Sequence, residues 1–178
     1  MANPVLENQI KKIQDRFGAS IAKIEYDRAG CPILWAKKDD AIEFLKFLKA
    51  AAGLDFIFLA DLTAYDELGS EEEALSRFVV VYNLYSPEHG TRARVKVRLR
   101  LDEPMPTAVG VWSGANWAER EVFDLFGIRF AGHPDLRRIL LDIRWEGHPL
   151  RKDYYWRKSQ IFTDAEPIPE HLLKDESR

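Results

Sequence analysis

The chain has 178 residues, 46% of them hydrophobic and 12% aromatic, which suffices for one domain with a substantial core. Its formal net charge of −3 gives no overall attraction to nucleic acid or anionic lipid, and no stretch reaches the roughly 20 apolar residues of a membrane span. The single cysteine, Cys31, excludes an internal disulfide and any cluster held by thiolates of this chain alone, and we expect a soluble protein of a reducing compartment.

The first 62 residues predict two helices, a hairpin and a buried strand. Apolar residues recur at helical spacing in both helical segments, and a glycine follows each segment, Gly18 or Gly53. Asp39 precedes the second helix, where we expect its carboxylate to cap free N–H groups. The expected elements are a helix over 6–17, strands over 21–26 and 32–35 around a turn at 27–30, a helix over 41–52 and a strand over 54–62.

The middle of the chain predicts a long antiparallel pair of strands. After an acidic loop at 66–73, which we expect to be solvated, strand-forming residues fill 77–85 and 91–101, with a turn at 86–90 between them. Basic and apolar side chains alternate along the second strand, so that one of its faces is basic. This face comprises Arg92, Arg94, Lys96, Arg98 and Arg100. The pattern predicts an α+β fold, an antiparallel or mixed sheet with helices packed on one face.

The last predicted helix covers 117–126, and an irregular C-terminal part follows it. Asn116 and Glu119 have the spacing of a capping box at the start of this helix. Beyond the helix no hydrophobic period persists, and glycine, proline and basic residues dominate. We therefore predict an α+β domain over 1–127 and an extended basic docking segment with a polar C-terminal tail over 128–178.

The tripeptide Gly-His-Pro occurs twice in the C-terminal part, at 132–134 and 147–149, each time with arginines close behind. The flanks of the two copies do not align, so an internal repeat does not explain them. A metal site would need further ligands near His133 or His148, and neither a His-x₃-His nor a Cys-x₂-Cys spacing is present. No nucleophile elbow and no phosphate-binding loop occur. The two histidines are more typical of hydrogen-bonded turns.

Three carboxylates of the last predicted helix are candidates for acid–base chemistry, namely Glu119, Glu121 and Asp124. On a helix Glu119 and Glu121 point about 200° apart, so we do not expect them to act as a pair.

The C-terminal part also interleaves arginines with tryptophans and tyrosines, as in proteins that bind single-stranded nucleic acid. Three nearby aspartates, Asp135, Asp142 and Asp153, offset much of this positive charge. The same composition is typical of protein–protein interfaces. Composition therefore favours protein docking and leaves a nucleic-acid-binding module as the alternative.

An ordered run of residues resembles a known family. The segment EREVFDLFGIRFAGHPDLRRIL at 119–140 is preceded by SGANW at 113–117 and followed by EGHPLRKDY at 146–154. In order and spacing it is similar to the C-type subunit of the proton-pumping NADH:quinone oxidoreductase, whose mitochondrial relative is the 30-kDa-type subunit of complex I. Residues 1–110 agree with the family only in general layout. A tyrosine and a tryptophan at 155–156 stand where the family pattern suggests a proline.

The resemblance implies an accessory, non-catalytic structural subunit of the peripheral arm, on the cytoplasmic face of a bacterial inner membrane. It implies a place in electron transfer from NADH to quinone coupled to proton translocation. The implied partners are the quinone-site subunit of the D type and the iron–sulfur subunits of the B and I types. FMN and the iron–sulfur clusters would belong to the complex, and this chain would bind no cofactor or metal. The alternative within the family is a subunit of a related membrane-bound hydrogenase or chloroplast-type complex.

We expect the residues that carry the resemblance to dock the domain onto its neighbours. Because a lone domain should gain little from fixed arginines on a non-periodic segment, we expect these arginines to meet carboxylates of a partner. The predicted docking residues are Glu119, Arg120, Glu121, Asp124, His133, Arg137, Arg138, His148, Arg151, Lys152 and Asp153.

Overall fold

A computed structural model describes residues 4–70, 76–155, 160, 161 and 168. Within these ranges a five-stranded sheet packs against three helices, which confirms the α+β fold expected from the sequence. No helix in this part of the chain is both long and apolar enough to cross a membrane.

Three α-helices, seven strands and two short 3₁₀ helices, at Gly18–Ser20 and Lys38–Asp40, make up the regular structure of the described ranges. The helices are α1 (Pro4–Phe17), α2 (Ala41–Ala50) and α3 (Ala115–Phe126). The main sheet contains β1 (Ile21–Tyr26), β2 (Pro32–Ala36), β3 (Phe58–Asp66), β4 (Phe78–Ser86) and β5 (Thr91–Leu99). Two short strands, β6 (Met105–Pro106) and β7 (Phe130–Ala131), form a separate parallel pair.

The main sheet has the strand order β1-β2-β5-β4-β3 and is mixed, because β2 and β5 run parallel while the other neighbours run antiparallel. The long β4–β5 pair extends from Phe78 opposite Leu99 to Ser86 opposite Thr91, as the sequence predicts. The β1–β2 hairpin is also confirmed, and the Asp27 carboxylate accepts main-chain N–H groups within its turn. Short-range alternation and turn chemistry therefore account for both hairpins.

All three helices cover the same face of the sheet. One cross-strand row on this face consists of Ile24, Leu34, Val95, Tyr82 and Leu62. These side chains belong to, or pack against, a single hydrophobic cluster that also contains apolar residues of every helix. The helical members are Ile10 and Ile13 of α1, Phe44, Leu45 and Leu48 of α2, and Val122, Phe123 and Phe126 of α3. Burial of this apolar surface is the main stabilising contribution to the fold.

The opposite face of the sheet is lined by basic and aromatic side chains. Alternation in β5 places four basic residues there, Arg92, Arg94, Lys96 and Arg98, in agreement with the prediction. The Lys96 ammonium lies 4.9 Å from the ring centroid of Trp35 and 5.1 Å from that of Tyr65. The Arg98 guanidinium lies 4.4 Å from the Trp35 ring. These cations therefore lie on aromatic surfaces of the same chain.

The starts of two elements differ from the predicted ones. Gly114, and not Asn116, occupies the N-cap of α3. Asp40, and not the predicted Asp39, occupies the N-cap of α2, and neither cap makes a side-chain capping bond. The strand predicted over 54–62 lies at Phe58–Asp66. Leu54 and Phe56 are buried in the irregular segment after α2, so their hydrophobic character reflects core packing and not a strand.

The hydrophobic core continues beyond the domain boundary predicted at residue 127. Ile128, Phe130 and Leu136 are buried members of the same cluster. The pairing of β7 with β6 adds main-chain hydrogen bonds to this contact. Residues 128–136 thus pack on the domain, and a docking role for 128–178 stays a prediction.

Candidate functional site

Residues 132–153, here called the strap, lie along helix α3 and connect it to the sheet. The two Gly-His-Pro turns of the strap hold opposite ends of this helix. His133 bonds the carbonyl of Asn116 in the first turn of α3, and His148 bonds the carbonyl of Asp124 near its end. The repeated tripeptide therefore serves one purpose twice, which is to attach the strap to a helix end.

Both turns begin with a glycine in the left-handed region of backbone conformation. The φ angle is +81° at Gly132 and +85° at Gly147, where a residue with a Cβ atom is strained. At Gly147 an added Cβ would also lie 2.9 Å from the ring of Tyr154. Glycine is thus a backbone requirement of each turn.

His133 is buried and uses both of its ring nitrogens. Its Nε2 lies 3.1 Å from the Asn116 carbonyl oxygen, and its Nδ1 lies 3.0 Å from the main-chain nitrogen of Asp135. Because a carbonyl only accepts and an N–H only donates, Nε2 carries the hydrogen and the ring is neutral. This histidine is a structural link, with neither nitrogen available to a metal ion.

The Asp124 carboxylate is the centre around which the strap folds. It has no exposed surface and accepts a hydrogen bond of 2.7 Å from Arg138 Nη1. Its Oδ2 also accepts the main-chain N–H groups of Ile139, Leu140 and Leu141 at 2.8–3.0 Å. Burial acts to raise the pKa of Asp124, but these donors outweigh burial and hold the pKa below its usual value. The side chain is therefore ionised at neutral pH.

Three arginines bind main-chain carbonyls of the same chain. Arg120 donates to the carbonyl of Arg138, whose own Nη2 donates to Gly147. Arg151 Nε donates to the carbonyl of Phe126 at 2.6 Å. Arg151 thereby satisfies a free acceptor at the C-terminus of α3, where a cation also suits the helix dipole. The expectation that a lone domain gains little from fixed arginines is therefore wrong for Arg138 and Arg151.

A second carboxylate, Asp66 at the end of β3, attaches the strap to the sheet. It accepts two hydrogen bonds of 2.9 Å from Arg77 and one of 2.9 Å from the N–H of Lys152. Arg77 also pairs with Asp153 at 2.9 Å. Burial acts to raise the pKa of Asp66, yet these hydrogen bonds lower it overall.

The prediction that the acidic loop at 66–73 is solvated is wrong for its first two residues. Asp66 and Glu67 are both buried, and Glu67 accepts hydrogen bonds from Ser76 at 2.5 Å and Arg98 at 3.0 Å. Burial of these charges is tolerated because each has a cationic partner. Positions 71–75 lie outside the described residues.

Glu119 does not cap the helix. It is fully buried, and its two oxygens accept hydrogen bonds of 2.6 Å from the Thr107 hydroxyl and the N–H of Ala108. Burial raises the pKa of Glu119 to about 7, although both hydrogen bonds act in the opposite direction. The capping-box interpretation is wrong because Glu119 faces inward and joins α3 to the segment after β6.

The remaining predicted docking residues are more exposed. Glu121 faces solvent, and Arg137 pairs with Asp135 at 2.5 and 2.8 Å. Lys152 donates from Nζ to the carbonyl of Leu68 at 3.1 Å. Glu119 and Asp124 therefore bond to different segments while Glu121 faces solvent, and the three carboxylates do not form one catalytic set. Within the described ranges no three His, Cys, Asp or Glu side chains are placed to hold a metal ion.

Three partners in this arrangement carried no sequence signal, namely Asp66, Arg77 and Thr107. Asp66 meets Lys152 across 86 residues of sequence, and no local motif marks either residue. An aspartate at the end of a strand, such as Asp66, is common in proteins and does not by itself indicate a contact with a distant residue.

A basic cavity of about 390 Å³ opens at the C-terminal end of α3, between the strap and the loop after β5. We call it the arginine pocket, because it is lined by Arg129, Arg137, Arg138 and Arg151. Asp102 is the one acid among the described residues that line it. His148 also lines the pocket. Burial lowers the pKa of His148, and repulsion from Arg151 and Arg138 lowers it further, although the hydrogen bond to the Asp124 carbonyl acts to raise it.

Comparison with known proteins identifies relatives along most of the chain. The family model described as the 30 Kd subunit of respiratory-chain NADH dehydrogenase matches residues 34–160, which include α3 and the strap. The C subunit of NADH-quinone oxidoreductase from Trichlorobacter lovleyi is 49% identical over 146 residues, covering 82% of this chain and 86% of that protein. The C/D subunit from Ectopseudomonas mendocina is 38% identical over 175 residues, covering 96% of this chain but 29% of the longer protein.

Two solved structures share the fold. A trypsin-resistant fragment of Nqo5 superposes with a TM-score of 0.64 at 34% identity, covering 74% of this chain and 99% of the fragment. A chain of the membrane-bound sulfane sulfur reductase, an archaeal respiratory membrane complex, superposes with a TM-score of 0.58 at 28% identity, covering 82% of this chain and 79% of that one. The chain therefore belongs to the family of the 30-kDa subunit of respiratory-chain NADH dehydrogenase, the C subunits of the NADH-quinone oxidoreductase of complex I.

Proposed function

We propose that this chain is a non-catalytic structural subunit of the peripheral arm of NADH:quinone oxidoreductase, on the cytoplasmic face of the membrane. It takes part in electron transfer from NADH to quinone and in proton translocation through assembly of the arm. The observation that carries the proposal is the 49% identity to a C subunit of this enzyme over 82% of the chain.

Hydrogen bonds made by the titratable residues of the family motif at 119–154 support a structural role. Glu119, Asp124, His133 and His148 each bond to main-chain or side-chain groups of this chain. A general acid or base needs a position from which it reaches a substrate proton. These four side chains instead hold α3, the strap and the segment after β6 together.

The subunit that carries the quinone site, of the D type, is the first proposed partner. Relatives named as C/D subunits match nearly the whole of this chain within a much longer polypeptide. Joining two units in one polypeptide raises their effective concentration toward each other, which favours a direct contact. The iron–sulfur subunits of the B and I types are the further proposed neighbours. The iron–sulfur clusters belong to other subunits of the complex, since one cysteine cannot supply four thiolates. FMN is placed with the complex and not with this chain on the family resemblance alone.

Affinity purification of the tagged chain from detergent-solubilised membranes tests this function. We expect the D-, B- and I-type subunits to co-purify with it, and the isolated chain to oxidise no NADH. Purification of the chain without any of these subunits would contradict the structural role. NADH oxidation by the chain alone would contradict its non-catalytic character.

A subunit of a related membrane complex that takes electrons from another donor, such as a membrane-bound hydrogenase or a chloroplast-type complex, is the second candidate. The shared fold with a chain of the sulfane sulfur reductase complex favours it, but at 28% identity this likeness is the weaker one. The electron-input subunits that co-purify distinguish the two candidates. A nucleic-acid-binding module is less supported, because Arg94 and Arg98 of the basic face bond to Asn83 and Glu67 of this chain.

A further inference from the structure

The arginine pocket contains two arginines that are already paired. Arg137 bonds the Asp135 carboxylate, and Arg138 bonds the Asp124 carboxylate at 2.7 Å. Each of these pairs is close to neutral as a unit. The charge of the pocket therefore depends on its two other arginines and on Asp102.

Among the described residues, the other two arginines, Arg129 and Arg151, hydrogen-bond only to main-chain carbonyls, and the Arg151 guanidinium also lies 5.3 Å from the centroid of the Phe78 ring. Arg129 is exposed and donates one long bond, 3.4 Å, to the Asp102 carbonyl. Arg151 donates to the carbonyls of Phe126 and Gly127 at 2.6 and 3.4 Å. No described carboxylate lies within 4.0 Å of either guanidinium. A guanidinium has five N–H donors, so most of their donors remain for another acceptor.

The Arg151 guanidinium is partly buried, which disfavours its charged form. Burial lowers the pKa of Arg151, and repulsion from Arg77 adds to this, although Asp153, Asp102 and Asp66 act in the opposite direction. A bound anion would relieve both effects, since it would supply a nearby opposite charge and new hydrogen bonds.

We propose that the arginine pocket binds a carboxylate side chain of a neighbouring subunit, with Arg129 and Arg151 donating to its oxygens. The inference rests on the proposed function, because the occupant belongs to the same complex. A guanidinium fork matches the two oxygens of a carboxylate and gives a charge-assisted, directional contact.

The walls of the pocket favour a protein segment over a small inorganic anion. Phe123, Ile143 and Trp145 line it together with the arginines. Its volume of about 390 Å³ accommodates several side-chain groups. The apolar wall can cover the methylene groups of a glutamate and the residues beside it, whereas phosphate would leave that surface uncovered. Arginine and tryptophan side by side are also typical of interface centres.

Charge reversal at the pocket tests the proposal in the assembled complex. The variant Arg129→Glu is compared with Arg28→Glu, which makes the same charge change at an exposed turn outside the pocket. Both variants should melt like the wild-type chain, because Arg129 makes a single long internal bond. We expect co-purification of the neighbouring subunits to fall at least about tenfold for Arg129→Glu and to stay at the wild-type level for Arg28→Glu.

A photo-activatable cross-linker at position 143 identifies the occupant in native membranes. The expected product joins this chain to an acidic segment of another subunit. Replacing the cross-linked acid with arginine should then restore assembly of Arg129→Glu. A product with lipid only, with residues 162–178 of this same chain, or with nothing would overturn the proposal.

Different results would contradict the docking role of the arginine pocket and the proposed function of the chain. If Arg129→Glu assembles as well as wild type, the pocket is not a docking site, while the proposed function stands. If the wild-type chain brings down none of the expected subunits, both fall together. If Arg129→Glu melts early, Arg129→Gln provides the same comparison with a smaller change in charge, and normal assembly of that variant would equally overturn the proposal.

Discussion

The Arg138 guanidinium donates to the Asp124 carboxylate at 2.7 Å, at a site where Asp124 has no exposed surface. The same carboxylate accepts three consecutive main-chain N–H groups of the strap. A charge on helix α3 therefore organises a segment that has no regular secondary structure of its own. The strap is in consequence hydrogen-bonded to the folded domain along α3.

Replacing Asp124 with asparagine should destabilise the fold by about 3–5 kcal/mol, because it removes one partner of a buried charged pair. The new amide NH₂ would also face N–H donors in place of an acceptor. Urea unfolding measures the loss, and Glu121→Gln, on the exposed side of the same helix, should change little. An Asp124→Asn variant as stable as wild type would show that the strap does not depend on this charge.

The double variant Arg138→Ala and Arg151→Ala should unfold at a distinctly lower temperature than wild type. Without Arg138 the buried Asp124 loses its cationic partner, and without Arg151 the carbonyl of Phe126 at the end of α3 loses its donor. The sequence alone led to a different expectation, that a lone domain gains little from these arginines. Arg137→Ala is the control, since an exposed pair contributes only about 0–1 kcal/mol.

The stability of the protein should contain a pH-dependent contribution from Glu119, whose folded pKa of about 7 lies above the ordinary value of 4.5. Below pH 4.5 the carboxyl is protonated in both states and contributes nothing. Between pH 4.5 and 7 only the unfolded chain releases the proton, so the free energy of unfolding falls as pH rises, by at most about 3 kcal/mol. Above pH 7 the cost stays constant.

Glu119→Gln removes this titration and keeps an oxygen for the N–H of Ala108. Relative to wild type, we therefore expect the glutamine variant to gain stability as pH rises from 4.5 to 7, in urea unfolding at a series of pH values. Curves that stay parallel over that window would show that Glu119 titrates normally in the fold.

Gly127→Ala should cost far more than a glycine replacement at another left-handed position. At Gly127, with φ +71°, an added Cβ would come within 2.5 Å of the His148 ring and would also contact Arg151 Nη2. The control is Gly30→Ala, where φ is +78° and no heavy atom lies within 4 Å. The control should lose about 1–2 kcal/mol from backbone strain alone. Equal losses at both positions, measured by thermal unfolding, would contradict tight packing at Gly127.

Limited trypsin digestion should release the C-terminal end first, after Arg157, Lys158 or Lys174, and leave a resistant core. The polar, proline-containing sequence from about 155 motivates this, and its positions lie mostly outside the described residues. The paired strands β4 and β5 should resist cleavage longest. The Nqo5 fragment of the same fold is described as trypsin-resistant and corresponds to 74% of this chain. Early cuts within 78–99 would contradict the prediction.

Elements with strong local signals could be predicted from the sequence. Alternation along β5 predicted both its basic face and its apolar face, because successive side chains of a strand point to opposite sides. The helices followed from apolar residues at helical spacing, and the family followed from a long ordered motif. Helix starts were less predictable, since the geometry of a cap depends on tertiary packing and not only on residue type.

The amino-acid sequence by itself determined the family, the α+β class and the order of the three helices and the five strands of the main sheet, because periodicity and motif spacing are local properties of the chain. Only the tertiary structure decided what the buried carboxylates do. Glu119 became a buried link, Asp124 the centre of the strap and Asp66 its anchor, through partners up to 86 residues away in sequence. The sequence does not indicate whether a charged side chain contacts water, its own chain or a partner. Its role depends on which groups the fold brings within hydrogen-bonding distance.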